Sequence, residues 1–204
     1  DAKDYLSSAE RLAIEIGHLS GQAQSLEALG ILLNKQGLHY EALEVISKGL
    51  EIFKTQVNDK SMLGLSYIKI ANKYNYLMQT DEAEKYFRMA IVVMENSERQ
   101  HNINLIKGNL GLLLYQKGQF HDAISYISAG LEGFILQNNI QAQSQAYSHL
   151  GHCYLELGEM VKALEHFQKG LKVARSREFP TEMSSIYQGL GKLYMRMEGY
   201  KDAI

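Results

Sequence analysis

Between Gln141 and Gly158, apolar or small residues fall at Ala142, Ala146, Tyr147, Leu150, Gly151, Tyr154 and Leu157. Spacings of three and four place them on one helical face, where a strand would alternate strictly. Gly158 follows, at the point where a left-handed residue ends a helix. A second stripe, Ala163, Leu164, Phe167, Gly170, Leu171 and Ala174, predicts a partner helix over residues 159–175. The same pattern returns at Tyr40–Phe53, Asp81–Met94 and Phe120–Phe134. Each helix should have about 16 residues and run about 24 Å.

The phase of these stripes is constant. Ala2, Ala42, Ala83, Ala123, Ala163 and Ala203 are spaced 40, 41, 40, 40 and 40. Before each of the last five sits another small residue: Gly30, Ala71, Gly111, Gly151 and Gly191. A fixed period of this size is the signature of one helical hairpin copied in tandem, a solenoid. Helices crossing about 8–10 Å apart need positions without a side chain. Gly111, Gly151 and Gly191 are expected to let the hairpin partner approach, and Ala123, Ala163 and Ala203 to receive it. Gly49, Gly130 and Gly170, with Ala90 in the same phase, mark a third close contact. Between Ala42 and Ala71 there is one extra residue, expected in the polar stretch Thr55–Lys60. It lengthens that turn, as a hinge or as a tolerated insertion.

These residues resemble the tetratricopeptide repeat. Leu150, Gly151, Tyr154, Gly158, Ala163, Phe167 and Gly170 match its pattern. So do Leu110, Gly111, Leu114, Gly118, Ala123, Ile127 and Gly130, and Leu29, Gly30, Leu33, Gly37, Ala42, Ile46 and Gly49. In the second unit Ala71 replaces the first glycine and Met78 the turn glycine, while Tyr74, Ala83, Phe87 and Ala90 hold the register. The closing proline typical of the family is missing, and the period of 40 is similar to its long-helix variant. The resemblance implies an all-α, right-handed superhelical solenoid of antiparallel hairpins. Its expected boundaries are a partial repeat over 1–19, repeats over 20–57, 58–97, 98–137 and 138–177, and a partial repeat over 178–204. Beginning and ending within a repeat, the chain reads as a window of a longer protein.

Composition narrows the function. Hydrophobic residues make up 46% of the chain, enough for a core, and a net charge of −2 gives nucleic acid no basic footprint. The single cysteine excludes an internal disulfide and suits a reducing, cytoplasmic setting. No stretch approaches the roughly 20 apolar residues of a membrane span.

The resemblance also implies that the first helices line a concave groove. Groove positions by register are Glu27, Ala28, Ile31, Asn34 and Lys35; Lys69, Asn72, Asn75 and Tyr76; Asn109, Leu112, Tyr115 and Gln116; His149, His152, Leu155 and Glu156; and Gln188, Lys192, Met195 and Arg196. Lysine, asparagine and arginine donate well to the oxygens of a peptide, and Tyr76 and Tyr115 would anchor apolar groups. Asn72 with Asn109 is similar to the asparagine pair of family members that clamp a peptide carboxylate, although the full basic set of that clamp is not reproduced. The expected partner is a protein or peptide segment, acidic or extended.

His149, His152, Cys153 and Glu156 have metal-ligand spacings, but Cys153 sits on the inward turn, so no metal site is expected. Neither a cofactor site nor a catalytic set emerges, and the chain reads as a non-enzyme. Tyr74, Tyr154 and Tyr194, like Tyr67, Tyr147 and Tyr187, read as inter-helix core, and Met62, Met94 and Met183 as gap fillers. Leu190, Leu193, Tyr194 and Met197 would be left without a following helix, which makes self-association through an end a second mode of assembly. The alternative function is a regulatory region acting on an output domain elsewhere in a larger protein.

Overall fold

A computed structural model describes residues 2–57, 59–95 and 100–202. Among these residues the structure is all helix: α1 (Ala2–Glu15), α2 (Leu19–Lys35), α3 (His39–Thr55), α4 (Lys60–Tyr76), α5 (Thr80–Met94), α6 (Gln100–Gln116), α7 (Phe120–Leu136), α8 (Ile140–Glu156), α9 (Met160–Arg175) and α10 (Pro180–Asp202). This is an all-α helical-repeat solenoid. It divides into two compact units, residues 1–100 and 101–204.

In the first unit α1 packs on α2, α2 on α3, α3 on α4 and α4 on α5. In the second, α8 packs on α7, α9 and α10. Turns between helices are short and chemically defined. Gly158 adopts φ +77° and Gly118 φ +75°, and the amides of Gly158 and Glu159 return to the carbonyls of Leu155 (3.1 Å) and Tyr154 (2.9 Å). That arrangement satisfies carbonyls otherwise orphaned at the helix end. Met78 holds the same left-handed geometry, φ +60°, with a side chain that is 79% exposed. α4 starts after Asp59, whose carboxylate accepts the Met62 N–H at 3.0 Å, and α8 after Asn139, which caps Ala142 at 3.2 Å. Four positions separate α3 from α4 and three separate α7 from α8. The extra residue therefore falls in the 55–60 stretch, and Asn58 itself lies outside the described residues.

The core of the second unit centres on Phe167, packed with Leu155, Ala163, Ile186 and Leu193, all fully buried. Gly111 and Gly151 let the hairpin partner approach, chiefly through one large side chain. A Cβ on Gly151 would meet the Phe167 ring at 2.6 Å, and one on Gly111 would meet Ile127 at 2.7 Å. The side chain sixteen residues on fills the notch, with the alanine twelve on packed in the core beside it. Gly191 has no such neighbour within 4 Å, because no described helix follows α10. α10 also runs unbroken through Glu198, where the register places a turn; Glu198 stands where Gly118 and Gly158 end their helices. Ala203, expected to open a second helix, lies outside the described residues. Gly130 and Gly170 do mark close approaches, the first against the Gly108 backbone at 2.7 Å and the second against Tyr147 at 3.0 Å.

Candidate partner-binding faces

In the first unit the polar face of α2 meets that of α4. Glu27, placed by register near a groove, is 2% exposed, and its carboxylate accepts from Ser66 and Lys69. Lys69 is thereby engaged within the protein. Asn34 is also occupied: its carbonyl oxygen accepts from Lys73, and His39 Nδ1 lies 2.7 Å from it. Lys73 is 5% exposed and also meets His39 Nδ1 at 2.9 Å. Burial pushes its pKa below the ordinary lysine value. Tyr76 covers this cluster, its ring 4.7 Å from His39 and 5.1 Å from the Lys73 ammonium, and yet 62% exposed. Lys35 and Asn72 are exposed and Asn75 half-buried.

In the second unit the face is built by α6, α8 and α10. Tyr115 is half-buried, its ring centre 5.8 Å from Phe120, 6.0 Å from His149 and 6.4 Å from His152. Burial raises its pKa. His149 donates from Nδ1 to the Gln145 carbonyl at 2.8 Å, and His152 stands edge-on to Phe167 at 5.0 Å. Burial lowers both histidine pKa values, and Lys192 and His149 lower that of His152 further. Asn109 is half-buried and, with Leu112, Gln145 and His149, borders a narrow cleft between α6 and α8. Gln116 and Lys192 are exposed.

Two residues placed by register near the groove are drawn into the protein's own packing here. Leu155 is fully buried against α9 and α10, because α10 crosses over the end of α8. Arg196 is spent on the same helix end: it donates to the Leu155 carbonyl at 2.6 Å and pairs with Glu156 at 3.0 Å, satisfying a terminal carbonyl and the negative end of the helix dipole. Asn72 belongs to the first unit and Asn109 to the second.

Cys153 is buried, and that burial pushes its thiol pKa up to about 12, the property of an inert core residue. No group of three or more His, Cys, Asp or Glu is placed to hold a metal ion among the described residues. No described helix is long and apolar enough to cross a membrane. Of the tyrosines read as core, Tyr67 is 4% exposed, whereas Tyr187 and Tyr194 on α10 are half-exposed, and no described helix follows α10.

The polar residues overlooked by register are Lys73, Gln141, Gln145 and Glu182. Lys73 occupies the phase of the buried Leu113 and Cys153, and Glu182 the phase of Gly21, Met62, Asn102 and Ala142. For Lys73, a charge at an apolar phase was the available signal. Glu182 is 5% exposed and accepts from Gln141 (2.9 Å) and Gln145 (2.8 Å) through one oxygen.

Stacked helical hairpins with small residues at their crossings define a helical-repeat protein. Residues 102–176 match the Tetratricopeptide repeat family, so the chain carries tetratricopeptide-type repeats over that stretch. It is similar to heat shock protein STI1 of Saccharomyces cerevisiae, 26% identical over 122 residues, 59% of this chain and 20% of that protein. It is also similar to regulatory protein RapG of Bacillus subtilis, 27% identical over 146 residues, 69% of this chain and 38% of that protein. The chain thus spans a fifth to two fifths of these relatives. The crystal structure of aspartyl phosphate phosphatase F from Bacillus subtilis superposes with a TM-score of 0.75 at 18% identity, covering 97% of this chain and 55% of that one.

Proposed function

We propose that the chain is a non-catalytic protein- or peptide-binding scaffold that holds a partner segment on the faces of its first helices, in the cytoplasm. The observation that carries this reading is Tyr76. It is a large aromatic, mostly exposed, and held in place by His39 and Lys73. An aromatic whose rotamer is already restrained loses little entropy on binding, which is how a few anchors dominate an interface. Around it Lys35 and Asn72 are exposed, as are Gln116 and Lys192 in the second unit. Repeats bounded at 20–57, 58–97, 98–137 and 138–177 would each contribute one such face. A peptide-library screen on the 204-residue chain tests this, run beside Tyr76→Ala and Asn72→Ala/Asn109→Ala. Hits weakened by these substitutions support the reading; hits indifferent to them sink it.

The likeness to RapG favours a second reading, a regulatory region of a larger signalling protein. In that case partner binding, or self-association through exposed end residues such as Leu12, Ile16 and Tyr194, would act on an output domain. Sedimentation of the chain at rising concentration, with and without a selected peptide, separates the two readings. A change of assembly state on binding favours the regulator.

A further inference from the structure

A cavity of about 290 Å³ opens between α6, α8 and α10, lined by Leu112, Gln145, Ser148, His149, Glu182 and Ser185, with Thr181 at its edge. Its lining includes the carboxylate-bearing Glu182, a residue 5% exposed, and no cation of the described residues pairs with it. Burial pushes the pKa of Glu182 up. The amide hydrogen bonds of Gln141 and Gln145, with its own backbone N–H, outweigh that and hold it below the ordinary value. Glu182 also lies in the first turn of α10, whose N-terminal end favours a carboxylate, but with no cation beside it this buried charge still gains from one.

The rest of the lining keeps free acceptors. One N–H of Gln145 goes to Glu182, which leaves its carbonyl oxygen beside the second N–H. His149 spends Nδ1–H on the Gln145 backbone, which leaves Nε2. The hydroxyls of Ser148 and Ser185 lie 3.1 Å apart and keep lone pairs beyond the bond they share. A lining of acceptors around one anionic oxygen pair is complementary to a group with many donors and no acceptor, which describes guanidinium. The volume is at the small end for ligand pockets, sized for a side chain and not for a whole cofactor.

We propose that this cavity takes a guanidinium group, with Glu182 as its counter-ion and the stem of the group lying against Leu112. Its source is an arginine of the held segment, and the assignment rests on the segment-binding reading for that source alone. A free small guanidine is the other source of the same chemistry.

The test uses three probes on the intact 204-residue chain: the blocked peptide Ac-Gly-Ala-Arg-Ala-Gly-NH2, its citrulline counterpart, and methylguanidinium. Amide shifts in a 15N-resolved NMR titration report the site. The arginine peptide should shift the signals of Gln145, Ser148 and Glu182 and bind about tenfold tighter than the citrulline peptide, the worth of one charge-assisted pair. Glu182→Gln should bring that ratio to within about twofold. So should Thr181→Phe, which obstructs the mouth from an exposed position, and it decides the matter if the first variant melts. Methylguanidinium shifting the same signals, with no gain from the peptide, supports the cation site and assigns it to the free source. Equal binding of arginine and citrulline peptides, or a preference that survives both substitutions, overturns the proposal. The segment-binding reading fails separately, when library hits ignore Tyr76→Ala.

Discussion

Gly151 and Gly191 occupy the same phase of successive repeats, and the structure assigns different outcomes to the same substitution at each. A Cβ at Gly151 would lie 2.6 Å from two atoms of the Phe167 ring and 2.9 Å from a third. Phe167 is fully buried with Leu155, Ile186 and Leu193 around it, so the ring has nowhere to retreat. Overpacking of this kind costs about 1–3 kcal/mol. At Gly191 a Cβ meets nothing within 4 Å. Replacing a helical glycine with alanine gains about 1 kcal/mol at either site, so this gain cancels in the difference between the two variants. The difference is then the overpacking cost alone, about 1–3 kcal/mol. Urea titrations followed by circular dichroism on Gly151→Ala, Gly191→Ala and the parent chain measure it. Gly191→Ala should be more stable than the parent and Gly151→Ala less stable or unchanged. Equal shifts, or the reverse order, would refute the account of how the first small residue serves the hairpin.

Met78→Gly should stabilise the chain by roughly 0.5–1 kcal/mol in the same titration, since left-handed strain of about 1–2 kcal/mol is relieved and partly offset by glycine's extra unfolded-state freedom. Phe167→Ala should cost about 3–5 kcal/mol, visible as a much lower urea midpoint. Burial depresses the pKa values of His149, His152 and His166 below 6.5. The unfolded chain therefore takes up protons first on acidification. The stability tied to the neutral rings is complete above pH 6.5 and is lost as pH falls through the lower folded values. Urea midpoints should drop between pH 7.5 and 5.5. They should drop less in His166→Phe, which removes a buried Nδ1 that has no hydrogen-bond partner.

Much of the fold was legible because a repeat states its contacts several times. Gly30, Gly111 and Gly151 mark the same crossing, and Gly37, Gly118 and Gly158 the same turn. Even the departure at Met78 kept the backbone of the motif it replaced. Register could say which face a residue shares, but not which neighbour from the next repeat would use it. Asn34, Lys69 and Arg196 were legible as polar residues of the first helices. Their engagement by Lys73, Glu27 and the Leu155 carbonyl depends on groups about forty residues away. Leu155 has a groove phase and a core position for the same reason, since α10 crosses α8. Lys73 stood at an apolar phase and Glu182 at a mixed one, and their burial follows from polar partners on other helices that no single helix displays.

Hydrogen-exchange mass spectrometry on the chain bound to a library-selected peptide tests the central claim most directly. If first-helix faces hold the segment, protection should rise on α2, α4, α6, α8 or α10, including the stretch around Tyr76, and stay unchanged on the exposed faces of α3, α5, α7 and α9. Protection confined to those outer helices, or to the ends of the chain, would contradict it.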